Sequence, residues 1–98
     1  MERVIVWNKR STKFLRQALK RISEDSLLQA ERVEEVLLTA IAGLHTNPER
    51  YPPDKFKKNN PGNFRAFEKL SFRIAYKLTS SQIRILRIRH VKQEPKEY

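Results

Sequence analysis

From Phe72 onward, apolar Phe72, Ile74, Tyr76 and Leu78 alternate with Arg73, Ala75, Lys77 and Thr79. A period of two predicts a strand with one apolar and one basic face. Thr79-Ser80-Ser81 is a short polar break. Ile83, Ile85, Leu86 and Ile88 then form a second, more continuously apolar run that carries Arg84, Arg87 and Arg89 and ends at His90. Two such runs across a polar turn predict an antiparallel hairpin. Cations are costly on a sheet unless they meet water or a polyanion. One face is therefore expected on the core and the other open to a nucleic-acid-like partner. Strand alternation separates Arg84 from Arg87 and Arg89, so these three are not expected to share a face.

Upstream, the β-branched and aromatic run Arg3 to Trp7 predicts a short first strand. Ser11 or Thr12 is the expected N-cap of an amphipathic helix whose stripe is Phe14, Leu15, Ala18, Leu19 and Ile22. The polar run Ser23 to Ser26 interrupts it. A second helix starts near Asp25 or Ser26, with Ser26 and Gln29 spaced as a capping box. Its stripe is Ala30, Val33, Leu37, Ala40 and Leu44, widened by Val36 and Ile41, with Gly43 near its end. The pair reads as an antiparallel helical hairpin. Residues 45–63 hold four of the five prolines and form a loop whose length in a small domain points to function. Phe64 to Leu70 is a further strand. The order β-α-α-β-β-β predicts an α+β domain, with a helical hairpin packed on a small, mainly antiparallel twisted sheet.

Composition sharpens this picture. The 98 residues carry a net charge of +10, and the excess is uneven: residues 1–49 contribute +1 and residues 50–98 contribute +9. A basic half favours a phosphate backbone or an acidic protein. The length predicts one domain over residues 1–98. Cysteine is absent, which excludes disulfides and thiolate metal sites and suits a reducing cytosol. The apolar run near the N-terminus is too short for a signal peptide, and no run reaches the roughly 18 apolar residues of a membrane span. A cytoplasmic location without membrane association is expected. Neither HExxH nor a phosphate-cradling glycine loop occurs, so neither metal nor cofactor is expected.

The segments FRAFEKLSFRIAYKL and IRILRIRHVKQEPKEY, together with the element order, resemble the RelE/ParE superfamily, the toxins of bacterial type II toxin–antitoxin (plasmid stabilisation) modules. FRIAY resembles the hydrophobic-Arg-hydrophobic-x-Tyr mark of the third strand. The Arg-x-Arg-His ending of the last strand is common in one branch. The resemblance implies a partner antitoxin, whose amphipathic, often acidic segment folds on the toxin. It also implies one of two targets. RelE-like members cut messenger RNA on the ribosome, and a metal-free messenger-RNA endonuclease is the first expectation; ParE-like members, the alternative, poison DNA gyrase without enzymatic activity and lack the ribonuclease residues. A third possibility is a basic nucleic-acid-binding module without toxicity.

Metal-free RNA cleavage needs removal of the 2′-hydroxyl proton, stabilisation of the charge on the phosphate, and protonation of the leaving oxygen. By the resemblance, Arg73 would clamp the phosphate with its planar guanidinium. Tyr98 falls where RelE-like members carry an active-site tyrosine, and Asp54 near the general base of the Glu/His branch. Lys92 stands in place of a second catalytic arginine; it keeps the charge and loses the bidentate geometry. His90, at the sheet rim, titrates near neutrality and is an acid or base candidate. Lys57, Lys58, Arg65, Arg87 and Arg89 would hold RNA. His45 reads as structural, and the acidic residues Glu24, Asp25, Glu31, Glu34 and Glu35 read as a solvated helix face. In ParE-like members the helical hairpin is itself a protein-interaction surface.

Overall fold

In the computed structural model, which describes residues 3–93 and 96–98, the chain runs β1 (Val4–Trp7), α1 (Lys9–Asp25), α2 (Leu27–Ala42), a 3-10 turn (Gly43–His45), β2 (Phe64–Lys69), β3 (Phe72–Leu78) and β4 (Gln82–His90). This is the expected α+β order. The strands form one sheet in the order β1-β4-β3-β2. β1 lies parallel to β4 and the other two pairs are antiparallel. No helix is long and apolar enough to cross a membrane among the described residues.

The helix start differs from the expectation. Asn8, not Ser11 or Thr12, caps α1, accepting from the Ser11 N–H at 2.8 Å. Ser11 is instead fully buried, its hydroxyl donating to Asn8 Oδ1 at 2.7 Å. Asn8 wins because its amide can serve two partners: the side-chain N–H also donates to the Leu86 carbonyl at 2.8 Å, tying the helix start to β4. At the other end, α1 runs on through Asp25 and only Ser26 is extended. Ser26 accepts from the Gln29 N–H at 3.1 Å, which makes it the N-cap of α2.

One sheet face meets both helices. Leu15 of α1, with Val33, Leu37 and Ile41 of α2 and Leu44 of the turn, packs on Phe72, Ile74, Tyr76, Leu78, Ile83, Ile85 and Ile88. Tyr76 is wholly buried, yet its hydroxyl finds the Pro48 carbonyl at 2.7 Å. Burial pushes the phenol up to about 12. Among the described residues, the opposite face of the sheet carries no helix.

A β-bulge decides what that open face displays. Tyr76 pairs with Ile85, but Ala75 pairs with Arg87, so Leu86 is an extra residue in β4. The inward set is therefore Ile83 and Ile85 before the bulge, and Ile88 and His90 after it. Arg84 pairs with Lys77, Arg87 with Ala75 and Arg89 with Arg73. All three arginines of β4 thus lie on the open face, contrary to the expectation from strict alternation. An inserted residue shifts the phase of a strand by one.

The β2–β3 connection is a two-residue hairpin turn. Leu70 and Ser71 both have positive φ, at 50° and 70°. The twist of the flanking strands selects such turns, although neither residue type favours the left-handed region.

Candidate functional site

The site forms where the loop after the helices crosses the open face. Asp54 is fixed by backbone first: its N–H donates to the Phe64 carbonyl at 2.8 Å. Asn60 then closes the loop, accepting from the Gly62 and Phe64 N–H groups and donating to the Phe64 carbonyl at 2.7 Å. Two loop residues take positive φ, Asn59 at 53° and Gly62 at 116°. Both types tolerate that region. The tail returns to the same loop. The Tyr98 N–H donates to the Phe56 carbonyl at 3.0 Å, and the Lys58 N–H to the Tyr98 carbonyl at 2.7 Å.

These anchors bring three expected residues together. Arg73 Nη2 donates to Asp54 Oδ1 at 2.8 Å, and the Tyr98 hydroxyl donates to Asp54 Oδ2 at 2.7 Å. The Phe56 N–H also donates to Asp54 Oδ1, at 3.1 Å. Both carboxylate oxygens are therefore engaged, and the Asp54 side chain is 2% exposed. Burial alone would raise its pKa. The hydrogen bonds from Arg73, Tyr98 and Phe56, with the Arg73 charge, outweigh burial and hold the carboxyl below its usual value. For Tyr98, burial and its bond to the Asp54 carboxylate both push the phenol up. Glu68 supplies Arg73 with a second carboxylate at 3.1 Å.

Around this triad, cations ride on aromatic rings. Arg73 and Arg89 lie 4.8 and 5.2 Å from the Phe56 ring centre. Lys57 and Lys77 lie 4.7 and 5.2 Å from Phe64. Arg87 and Lys57 lie 4.6 and 5.4 Å from Tyr98. Arg87 also holds the tail, donating to the Lys96 carbonyl at 3.0 Å. Burial, with Arg87 and Arg73 nearby, lowers the pKa of Arg89. Lys58 is exposed and meets Glu97 at 3.8 Å.

Other candidates sit elsewhere. His90 pairs with Phe72, on the helix side of the sheet, and its ring meets the Phe72 ring edge-on at 5.6 Å. Its Nδ1 accepts from the Lys92 N–H at 3.1 Å. His90 and Lys92 line a cavity of about 820 Å³ with Phe14, Ile22 and Val33, on the opposite side of the sheet from Arg73. Arg65 pairs with Tyr76 and so also faces away; its guanidinium donates to the Glu49 and Tyr51 carbonyls and pins the loop.

Phe56 and Glu68 are site residues that the sequence reading misses. Glu68 is legible in principle: a two-residue turn at Leu70-Ser71 pairs it directly with Arg73. Phe56 carries no signal beyond being an aromatic among lysines. Among the described residues, no three His, Cys, Asp or Glu side chains are grouped to hold a metal ion.

The arrangement is a charge-neutralised lock under a basic surface. Asp54 is a weakly basic carboxylate that accepts from three donors, and Tyr98 is a neutral donor. A search of curated proteins finds none that matches the chain. The family model of the ParE toxin of the type II toxin–antitoxin system, parDE, matches residues 5–95. With that match over nearly all of a β-α-α-β-β-β fold, the chain belongs to the ParE toxin family of type II toxin–antitoxin systems.

Proposed function

We propose that this toxin acts by protein contact on DNA gyrase, without enzymatic activity, and that a cognate antitoxin neutralises it. The observation that carries this reading is the engagement of both Asp54 carboxylate oxygens by donors. RNA cleavage needs a group free to take the 2′-hydroxyl proton. Asp54 has both oxygens occupied and its pKa lowered. Tyr98 has its phenol held protonated, and His90 lies across the sheet. The helical hairpin, by contrast, exposes apolar side chains that have no core role: Leu27, Leu28 and Leu38 are 65%, 77% and 42% exposed. Such residues beside Glu31 and Glu34 suit a protein interface.

A second reading, ribosome-dependent cleavage of messenger RNA, is favoured by one observation. Asp54, Arg73 and Tyr98 converge within hydrogen-bonding distance. Displacement of the tail would remove the Tyr98 donor and free Asp54 Oδ2 as a base beside Arg73. Pulse-labelling after induction without antitoxin separates the two readings. Early arrest of DNA synthesis with a DNA-damage response, and inhibition of purified gyrase in a supercoiling assay, are expected. Early loss of protein synthesis, with new messenger-RNA 5′ ends in translated frames, would overturn the gyrase reading.

A further inference from the structure

We propose that the open face of the sheet, together with the start of α1, binds the phosphate backbone of duplex DNA. This holds independently of which protein the toxin acts on. The bulge at Leu86 gathers Arg84, Arg87 and Arg89 on one face beside Lys77. From Arg84 to Arg89 the row spans about 16 Å at the rise of a strand. Arg10, in the first turn of α1, extends it. Arg10, Arg87 and Lys96 line two adjoining clefts of about 290 and 360 Å³. The first turn of α1 has no acidic residue.

Among the described residues, the carboxylates near this face are engaged by other cations; Glu97, which lines one of the clefts, meets Lys58 at 3.8 Å. Asp54 and Glu68 are both taken up by Arg73. Among the described residues, Arg10, Lys77, Arg84, Arg87 and Arg89 pair with no carboxylate. Exposed Glu31, Glu34 and Glu35 lie on α2, on the helix side of the sheet and away from this face.

The chemistry of the face favours a duplex over its rivals. Single strands are gripped by bases stacking on free aromatic faces. Here Phe56, Phe64 and Tyr98 each already carry at least two cations within 5.5 Å. An amphipathic acidic segment that folds on binding needs several apolar anchor points. The alanines of this face, Ala66 and Ala75, are buried, and its exposed apolar side chain, Val4, stands at the β1 edge opposite Gln82, away from Arg87 and Arg89. What remains is a row of cation heads suited to closely spaced phosphates, with one duplex charge per about 1.7 Å of axis.

Fluorescence anisotropy of the purified chain with a labelled duplex of about 20 base pairs, across a salt series, tests this. Micromolar binding at low salt is expected, with log K falling against log salt at a slope between about −3 and −5. Arg84→Gln and Arg87→Gln are each expected to reduce that slope by about 1. Arg32→Gln, on α2, should leave it unchanged. Arg84 is exposed and, among the described residues, its side chain bonds to no other segment, so its variant reports on charge even if Arg87→Gln loosens the tail. Absence of binding at low salt would overturn the proposal. So would an Arg84→Gln slope equal to that of the unaltered chain, or tighter binding of single-stranded RNA or an acidic peptide than of the duplex.

Discussion

The side-chain amide of Asn8 bridges two elements, capping α1 through Ser11 and donating to the Leu86 carbonyl at the bulge of β4. The inserted residue that gathers the arginines thus has its carbonyl satisfied by the residue that starts the first helix. Asn8→Ser keeps a cap and loses the bond to Leu86, and is expected to cost about 1 kcal/mol. Asn8→Ala loses both and should cost about 2–3 kcal/mol. Urea unfolding checks this: the midpoint should fall in that order with an unchanged slope.

Arg73 and Asp54 form a buried pair, with side chains 11% and 2% exposed. Among the described residues, removing Arg73 takes the only cation from a buried carboxylate and leaves it the Tyr98 and Phe56 donors. Arg73→Ala is expected to destabilise by about 3–5 kcal/mol. Arg73→Ala with Asp54→Ala should cost less than the sum of the single changes, which a double-mutant cycle in urea measures. Tyr98→Phe keeps the ring and loses the phenol donor, at about 1–2 kcal/mol. Its first sign should be faster hydrogen exchange at the Lys58 and Tyr98 amides.

Stability should fall at both ends of the pH scale for separate reasons. The Asp54 carboxyl is depressed in the folded state. Its contribution is present above the unfolded value of about 3.9 and is lost as pH drops through the lower folded value. The phenols of Tyr76 and Tyr98 are raised. Their contribution is intact below about 10 and is lost as pH rises toward the folded values. Thermal melts against pH should show the acid-side loss shrink in Asp54→Asn and the alkaline loss shrink in Tyr98→Phe.

Leu70 and Ser71 hold left-handed backbone that Asn and Gly adopt at less cost. Leu70→Asn with Ser71→Gly is expected to stabilise the fold by about 1–2 kcal/mol. A rise in the urea midpoint would confirm it; a fall would show that Leu70 contributes packing beyond its 48% exposure.

If the helical hairpin is the working surface, Leu28→Glu should leave the melting temperature nearly unchanged, within about 0.5 kcal/mol. It should also weaken inhibition of gyrase by about tenfold or more, given the size of effects at interface anchors. His90→Ala should leave growth arrest intact. Titrating gyrase supercoiling with each variant checks both outcomes.

The strands, the two helices and their order were legible because burial on one side imposes a period of two or of 3.6 on the residues themselves. Phe72, Ile74, Tyr76 and Leu78 declared their face by alternation alone. Ser26 declared its cap through its spacing to Gln29, whereas Ser11 and Thr12 yielded theirs to Asn8. Arg73, Asp54 and Tyr98 could be named from a family pattern, but their mutual engagement could not. It depends on a loop folded over the sheet by Asn60 and a tail paired to Phe56 and Lys58. The same holds for the face shared by Arg84, Arg87 and Arg89, and for the removal of His90 to the other side. A single bulge inverts strand phase, and it is stabilised by Asn8, some 78 positions away. Local patterning thus determined the elements and their buried faces, while contacts between distant segments decided which charged groups meet, because those contacts fix register and loop path.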